Sequence, residues 1–502
     1  MLRLILGRSG SGKTYAVRSA LKELARNGAE HLVLLVPEQS SFENERAMLR
    51  MLGEKDARRV SVYSFTRLVD AAQRRCGGFA GRRLDDGGRS IFMSLAVEQA
   101  RDRLEVFRKN AESPELVGLM LRISAELKMC GVSPERMKDA SASVPQTTLR
   151  KKMGEIALIL AAYDALVARS YIDPLDDLDR LRGVLSRHDF FRGSTVMVDS
   201  FQSFTAQEYG ILEIILRQAE DVRVTLTADG LDGPDSDLFA VGRDTAKKLI
   251  RTARDNAVPV APPVVLPGGA RFRNPALAAL EAGAYRPLRI RWEKPCGGVA
   301  VYEAKSRYDE ASFVCAKIRS LVMGKGFRYR DFAVISRATE PYDGILDAAF
   351  EQWGIPYFMD RPEAVDTEPL MRLLLSAFRV VQYGFRSDDV FLYLKTGLVG
   401  LSAQQISELE NDAFVWNISG KKWLEPWTDN PEGLSGKPTE QDAELLRRIN
   451  ASREAVVKPL VEFQVSTAET DGVGMATACY RLLCGVHAAG NLRAYAERLS
   501  GN

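Results

Sequence analysis

Short apolar runs separated by polar loops mark the start of the chain and return near residue 195. Five runs rich in leucine and β-branched residues have the length of buried strands: Leu2–Leu6, Leu32–Val36, Val60–Tyr63, Thr195–Asp199 and Val222–Thr227. The stretch Tyr15–Arg26 repeats apolar residues every three or four positions, which predicts a helix with one face against a sheet. Strand, loop, helix and strand in this order indicate a parallel α/β layer.

Between Leu84 and Leu185 the apolar period becomes helical almost throughout. Helical spacing is clearest in Arg89–Ala100, Leu116–Met129 and Glu155–Arg169. Ser133 followed by Pro134 is a typical helix start. We therefore predict a helical insertion, residues 81–189, inside a discontinuous first domain made of residues 1–80 and 190–295.

Residues 256–298 are rich in proline, which predicts a linker or an irregular crossover. A second α/β domain is expected to begin there and to occupy residues 296–385. Its predicted strands are Val299–Glu303, Phe332–Ser336 and Pro356–Phe358, and its predicted helices are Asp309–Val322 and Tyr342–Trp353. Residues 386–502 are helical and polar in pattern and form the predicted accessory domain.

Residues 7–14 carry the clearest chemical pattern in the sequence. Gly7, Arg8, Ser9, Gly10, Ser11, Gly12, Lys13 and Thr14 match G-x-x-x-x-G-K-[ST] at every fixed position, between a predicted strand and a predicted helix. Glycines let successive backbone N–H groups face a phosphate, and the helix start adds a positive dipole end. The pattern predicts a nucleotide site with Lys13 on the β and γ phosphates and Thr14 on Mg²⁺. The alternative is a glycine-rich turn without a ligand.

A P-loop enzyme also needs an acid at the end of a second strand to orient Mg²⁺, usually followed by a carboxylate that positions water. Asp199 supplies the first acid, but Ser200 stands in the second position and cannot act as a general base. Thr205 and Glu208 have the spacing of a capping box, which is the preferred role for Glu208 over a catalytic one. The sequence thus supports nucleotide binding better than fast hydrolysis.

Composition limits the remaining possibilities. The 502 residues, 46% apolar and 27% charged, suit a folded globular protein of several domains. With 69 basic and 66 acidic residues, any nucleic-acid surface must be local. The six cysteines include no C-x-x-C pair, no apolar run reaches the length of a membrane span, and the first apolar run leads directly into the glycine-rich loop. A reduced cytoplasmic protein without a signal peptide is the expectation.

A set of motifs resembles a known family, the N-terminal half of AddB, which belongs to the bacterial ATP-dependent helicase and deoxyribonuclease that processes double-strand breaks. The motifs span nearly the whole chain in order and occupy residues 7–14, 36–42, 64–68, 198–208, 226–229, 331–337 and 354–358. The resemblance implies an α/β, superfamily 1 helicase-like fold with two RecA-like P-loop parallel-sheet domains and helical insertions. It also implies ATP and Mg²⁺ as cofactors, DNA as a partner, and a heterodimer with an AddA-type subunit that keeps the active motor.

This chain departs from the family pattern in several places. The C-terminal nuclease domain and the four cysteines that hold an iron–sulfur cluster in the family are not assigned here. Only Met1–Leu6 precedes the P-loop, where active relatives carry an adenine-reading glutamine, and Gly230, Leu231 and Asp232 stand where a phosphate-sensing glutamine normally follows. These departures, together with Ser200, predict a weak or idle ATPase.

In the family, the segments aligned with Gln39, Ser41, Phe65 and Arg67 line a single-stranded DNA channel, so the resemblance implies DNA contact for these four residues. An aromatic face can stack on a base and an arginine can contact phosphate or guanine. The alternative is that Phe65 belongs to the core face of a helix, as is also expected of Phe201 and Phe204. Arg337 is matched to a residue that faces the nucleotide, and the basic runs at 82–83 and 247–254 are expected to be solvated helix faces.

Three functions remain open. The first is a nucleotide-binding, single-stranded-DNA-binding subunit of a helicase and nuclease that resects double-strand breaks, in which the helicase-like half is inactivated. The second is an active superfamily 1 helicase motor in its own right. The third, a small-molecule kinase or transport ATPase, explains the P-loop but neither the second α/β domain nor the helical insertion.

Overall fold

A computed structural model describes residues 1–77, 81–233, 238–283, 291–359, 365–433 and 439–500. The chain divides into two compact units, Met1–Tyr302 and Glu303–Asn502. The described strands, in chain order, are β1 Leu2–Gly7, β2 Leu32–Leu35, β3 Val60–Tyr63, β4 Arg82–Arg83, β5 Tyr171–Ile172, β6 Thr195–Val198, β7 Asp221–Thr227 and β8 Val264–Val265.

The first unit contains a six-stranded parallel sheet in the order β3-β2-β6-β7-β1-β8. The five strands predicted from the apolar runs are confirmed, with ends that differ by no more than one residue. The helices of this unit are α1 Lys13–Arg26, α2 Ser41–Ala57, α3 Phe65–Cys76, α4 Asp86–Ala100, α5 Pro114–Met129, α6 Pro134–Ala142, α7 Thr147–Val167, α8 Asp177–Leu185, α9 Ala206–Gln218, α10 Ala240–Asp255 and α11 Pro275–Gly283.

Helices cover both faces of this sheet. Successive side chains of β2 point to opposite faces, and each face packs against helices. Leu32 and Leu34 join a buried cluster with side chains of α1 and α2. Val33 and Leu35 point the other way and join a cluster with side chains of α3, α8 and α9. Because both faces of β2 are buried, this strand is continuously apolar, which is why the sequence pattern identifies it.

The helical pattern predicted between Leu84 and Leu185 is confirmed, because helices α4 to α8 fill most of this stretch. The bounds 81–189 of the insertion domain stay a prediction. Helices α4, α5 and α7 pack on one another through their own apolar cluster. Ser133 caps α6 as predicted, because its hydroxyl accepts the N–H of Arg136 at 3.3 Å. The short strands β4 and β5 pair in parallel and form a separate two-stranded sheet.

The proline-rich segment after α10 is more than the predicted linker. The Leu2 N–H donates to the Pro259 carbonyl O at 2.8 Å, and the Leu266 N–H donates to the Leu6 carbonyl O at 2.8 Å. The segment therefore adds β8 as an edge strand beside β1. Prolines are tolerated there because an edge strand needs hydrogen bonds on one side only.

The second unit is helical in its described part. Its helices are α12 Arg307–Lys325, α13 Leu346–Gln352, α14 Pro369–Gln382, α15 Ser387–Leu394, α16 Ala403–Val415, α17 Glu440–Thr467, α18 Gly472–Gly485 and α19 Ala488–Ser500. The two helices predicted before residue 385 correspond to α12 and α13, and the helical pattern predicted beyond residue 386 is confirmed. Helices α14 to α18 share one buried cluster that includes Trp423 and Trp427.

The three strands predicted in the second α/β domain are wrong. Residues 299–303, 332–336 and 356–358 form no strand, and Ile335 and Phe358 are 91% and 89% exposed. A strand requires a hydrogen-bonded neighbour, and no neighbour pairs with these segments within the described ranges. No helix in the described part of the chain is both long and apolar enough to cross a bilayer.

Candidate nucleotide and DNA site

The predicted phosphate loop lies at the carboxyl end of β1, and α1 begins at Lys13. Gly10 and Gly12 have φ angles of 75° and 93°, a left-handed conformation that glycine adopts without strain. A Cβ on Gly7 would lie 2.3 Å from Oγ of Ser11, so a larger residue there would displace the Ser11 hydroxyl. Gly10 and Gly12 are thus favoured by the backbone conformation of the loop.

Lys13 folds back over the loop that it terminates. Its Nζ donates hydrogen bonds to the carbonyl oxygens of Gly7 at 2.7 Å and Arg8 at 3.0 Å. Burial lowers the pKa of Lys13 from its ordinary value; the Asp199 carboxylate opposes that shift and the positive charge of Arg271 adds to it. Lys13, Asp199 and Arg271 are therefore close enough to interact electrostatically.

Ser11 gives a direct test of whether a phosphate group fits this loop. Its Oγ is buried and finds no hydrogen-bond partner among the described residues. Buried hydroxyl groups normally have a partner, so this one is available to an acceptor oxygen. An unpaired donor beside two left-handed glycines and a lysine fits a phosphate ligand.

Asp199 follows β6 and is buried beside the loop. Its carboxylate accepts hydrogen bonds from the hydroxyl groups of Thr225 and Ser200, and its N–H donates to the Leu35 carbonyl O at 3.0 Å. Thr14 lies in the first turn of α1. Thr14 and Asp199 are the two residues that would hold Mg²⁺ with a nucleotide. The described residues contain no group of three or more histidine, cysteine, aspartate or glutamate side chains suited to a metal.

Glu208 is a helix cap, as the sequence predicts. Its carboxylate accepts the Thr205 N–H at 2.7 Å, and the Thr205 hydroxyl accepts the Glu208 N–H at 3.2 Å. The capping box at the start of α9 is therefore complete. Ser200, directly after Asp199, has a φ angle of 70° and carries no carboxylate.

The segment after β8 covers the phosphate loop, which the sequence analysis does not anticipate. The Arg271 N–H donates to the Gly10 carbonyl O at 3.0 Å. A Cβ on Gly10 would lie 2.9 Å from Cβ of Arg271. Only a tertiary contact brings Arg271 here, because no spacing pattern links it to residues 7–14.

Arg8, the second residue of the loop, turns its side chain towards the same segment. Its Nε donates to Oε1 of Glu281 at 2.9 Å, and its Nη2 donates to the Glu281 carbonyl O at 2.6 Å. The guanidinium carbon lies 5.3 Å from the centre of the Phe239 ring. The side chain of Arg8 thus has structural contacts, and its carbonyl O accepts hydrogen bonds from Lys13 and Ser11, so only its main-chain N–H is left for the predicted phosphate contact.

The four residues predicted to contact DNA lie at the same edge of the sheet. Gln39 and Ser41 follow β2, and Phe65 and Arg67 follow β3, which pairs with β2. Gln39 is exposed, whereas Ser41 is buried and donates its hydroxyl to the carbonyl O of Glu38 at 3.0 Å. The structure thus brings the four positions to one edge through two adjacent helix starts.

Arg67 and Phe65 differ in accessibility. Arg67 is partly exposed and pairs with Glu45 of α2 at 3.0 Å between Nη1 and Oε2. Phe65 is buried, and its ring centre lies 5.7 Å from that of Phe201 in an edge-to-face arrangement. Phe65 and Phe201 also line an open pocket of about 540 Å³ at this edge.

The core interpretation of the nearby aromatics is supported. Phe204 is buried, and its ring centre lies 4.9 Å from that of Phe201. Phe65 belongs to the same buried cluster as Phe204. Arg337 is exposed in the second unit, and its contact with the nucleotide stays a prediction.

The basic runs make local contacts. Nη2 of Arg83 lies 3.2 Å from Oδ2 of Asp177, and Nζ of Lys248 lies 3.6 Å from the centre of the Tyr209 ring. The expectation of a solvated helix face fits Lys248 on α10, but it is wrong for Arg82 and Arg83, which form the exposed strand β4.

Comparisons with known proteins agree with the resemblance seen in the motifs. Residues 4–281 match the family model described as ADDB, N-terminal. A protein of Acetivibrio thermocellus, named as the B subunit of an ATP-dependent helicase/deoxyribonuclease, is 31% identical over 476 residues, 93% of this chain and 42% of the relative. Relatives with the same name from Caldanaerobacter subterraneus and Clostridium kluyveri are 31% and 29% identical, over 94% and 96% of this chain and 41% and 43% of their own lengths.

The chain spans about two fifths of the length of these curated relatives. The family match itself runs from β1 into α11 and contains the phosphate loop, Asp199 and the edge that carries Gln39 and Arg67. Because that match covers more than half of the chain, the chain belongs to the ADDB, N-terminal family.

Proposed function

We propose that this chain is the ATP-binding and single-stranded-DNA-binding subunit of a bacterial ATP-dependent helicase and deoxyribonuclease, with weak or no ATP hydrolysis of its own. The observation that carries the proposal is an intact phosphate loop beside a buried Asp199 that is followed by Ser200. The relatives, each named as one subunit of such an enzyme, support a partner of the AddA type. Double-strand-break ends in the bacterial cytoplasm would be the substrate of the assembled enzyme.

Nucleotide binding is supported by the charges that surround the loop. Lys13 interacts electrostatically with the carboxylate of Asp199 and with a second cation, Arg271. When ATP binds, Lys13 would exchange the Gly7 and Arg8 carbonyl groups for phosphate oxygens, and the Ser11 hydroxyl would gain an acceptor. Bound Mg²⁺ would supply charge neutralisation between the phosphates, held by Thr14 and Asp199.

Slow hydrolysis is supported by the residues that follow β6. Asp199 is fixed by the hydroxyl groups of Thr225 and Ser200, so it is placed to orient a metal. Glu208, the next acid along the chain, has both of its capping contacts in place. With Ser200 in the position of the usual second acid, a water molecule would lack a general base there.

ATP retention tests the first half of the proposal. Lys13→Ala is expected to weaken ATP binding roughly tenfold to a hundredfold, because a hydrogen bond to a charged group is lost. Equilibrium dialysis with labelled ATP measures this, and Lys55→Ala, an exposed lysine on α2, is the matched control. Equal ATP affinity in the Lys13 variant and the unsubstituted chain would contradict the proposal.

DNA binding tests the second half. The double variant Gln39→Ala/Arg67→Ala is expected to bind a single-stranded oligonucleotide roughly tenfold more weakly, because one amide and one guanidinium contact disappear. Fluorescence anisotropy gives the dissociation constants. Gln73→Ala/Arg74→Ala, on the exposed last turns of α3, is the matched control. An equal loss of DNA affinity in both double variants would argue against a specific DNA contact at this edge of the sheet.

The active-motor hypothesis makes a different prediction. A motor would hydrolyse ATP at the roughly 1 to 1,000 per second typical of enzymes, would be stimulated by DNA, and would lose turnover in Lys13→Ala. We expect the steady-state rate to lie far below that range with and without single-stranded DNA. Fast, DNA-stimulated ATP hydrolysis that depends on Lys13 would contradict the proposed function and would support the active helicase motor instead.

A further inference from the structure

A groove between α1 and α2 opens to solvent beside the sheet edge described above. Its volume is about 560 Å³. It is lined by Arg18 of α1 and by five residues of α2: Glu43, Arg46, Ala47, Arg50 and Met51. Three arginines face one glutamate, so the groove is positively charged although the chain as a whole is almost neutral.

Arg18 is held at the base of the groove. Its Nη2 donates to Oδ1 of Asn44 at 2.9 Å, and Nδ2 of the buried Asn44 donates to the Ser40 carbonyl O at 2.9 Å. Nε of Arg18 is buried, yet it has no hydrogen-bond partner in the part of the chain that the structure describes. A buried donor without an acceptor is unfavourable, so this atom is available to an anion.

Arg46 and Arg50 form the rim of the groove. They are exposed and lie four residues apart on one face of α2. Neither side chain makes a hydrogen bond or an ion pair with the described residues. Arg67, by contrast, pairs with Glu45 nearby. The two rim cations are therefore unneutralised and free to take an external anion.

Two exposed aromatic side chains extend the same two helical faces. Phe42 lies four residues before Arg46 and is 69% exposed, and Tyr15 lies three residues before Arg18 and is 77% exposed. Cations that alternate with solvent-exposed rings are typical of surfaces that follow a single strand, since phosphates pair with arginine while bases stack on rings.

We propose that this groove binds the phosphodiester backbone of single-stranded DNA, with Phe42 stacking on a base. The inference rests on the proposed DNA-binding function and extends it, because α2 begins at Ser41, two residues after Gln39. A strand that contacts Gln39 and Arg67 would continue along α2 past Phe42 to Arg46 and Arg50. An acidic polypeptide would use the arginines but would leave both exposed rings unexplained.

Salt dependence of DNA binding is the test, with the full chain and a single-stranded oligonucleotide. For single strands each neutralised phosphate contributes about 0.7 to the slope of log affinity against log salt concentration. Arg46→Gln/Arg50→Gln is therefore expected to reduce that slope by about 1.4 and to weaken binding several-fold. Arg46→Lys/Arg50→Lys keeps both charges and is expected to keep the slope. Phe42→Ala is expected to weaken binding roughly fivefold or more without changing the slope.

The matched control is Arg187→Gln/Arg217→Gln, which removes two exposed arginines near α8 and on α9, on the opposite face of the sheet. It is expected to leave the slope unchanged.

If Gln39→Ala/Arg67→Ala weakens DNA binding while Arg46→Gln/Arg50→Gln keeps affinity and slope, the groove proposal is overturned and the proposed function stands. If the groove variants keep their affinity for DNA but lose their affinity for polyglutamate, the ligand of the groove is an acidic protein and the DNA proposal is overturned. Absence of DNA binding by the unsubstituted chain overturns both.

Discussion

Asp412 is the least satisfied acid described in the second unit. Its side chain is 1% exposed, and neither carboxylate oxygen finds a hydrogen-bond partner among the described residues. Burial raises the pKa of Asp412 from 3.8 to about 6, and the nearby negative charge of Asp429 adds to the shift. Asp412 lies one helical turn before Trp416, so the surrounding tryptophans report on this region.

Asp412 should make the helical unit less stable as pH rises. Its pKa is higher in the folded state, so the folded state binds the proton more tightly, and stability falls as pH rises from about 4 through about 6. The free energy of unfolding of Asp412→Asn is expected to exceed that of the unsubstituted chain by on the order of 2 kcal/mol at pH 8 and by little near pH 4. Urea unfolding followed by tryptophan fluorescence measures both values. An equal difference at the two pH values would show that charge is not the cause.

At the residue scale, sequence reasoning works where the pattern is local. The three-residue spacing of Thr205 and Glu208 identifies a capping box that the structure confirms, and the eight-residue pattern predicts the roles of Lys13 and Thr14 within their own loop. Arg271 and the orphaned Ser11 hydroxyl could not be found this way. One depends on a tertiary contact with Gly10, and the other on burial within a folded loop.

At the element scale, the start of α9 depends on a reciprocal cap. Thr205→Ala removes the acceptor of the Glu208 N–H and is expected to lower the free energy of unfolding by about 1 kcal/mol. Thr147→Ala, on an exposed threonine in the first turn of α7 without a cap hydrogen bond, is the matched control and should change stability little. Chemical denaturation followed by circular dichroism gives the values. A substantial loss of ATP affinity in Thr205→Ala would mean that this turn does more than begin a helix.

Strands were predictable where short apolar runs supply the buried residues of the sheet. β1, β2, β3, β6 and β7 carry such runs and appear where the apolar runs place them. β8 was missed because its two residues are strand only through pairing with β1. Residues 332–336 have the same local pattern as a strand, yet pairing decides whether a strand forms, and that information is not local.

At the scale of the whole molecule, ligand binding should raise the free energy of unfolding. ATP at about a hundred times its dissociation constant is expected to stabilise the chain by about 2.7 kcal/mol, since the folded state alone offers the phosphate loop. Differential scanning fluorimetry across an ATP titration measures this as a rising melting temperature. Lys13→Ala should flatten the titration. A melting temperature that rises equally in that variant would place the ATP effect outside the loop.

Residues 264–281 cover the phosphate loop, and this arrangement has a consequence for synthesis of the chain. β1 leaves the ribosome well before its neighbours in the sheet, β7 and β8, and the loop is covered by Arg271 and tied to Glu281. Pairing of such distant segments is slow, because a long stretch of chain must be ordered before any contact forms. The proposed nucleotide would therefore bind the nascent polypeptide only after translation has passed Glu281.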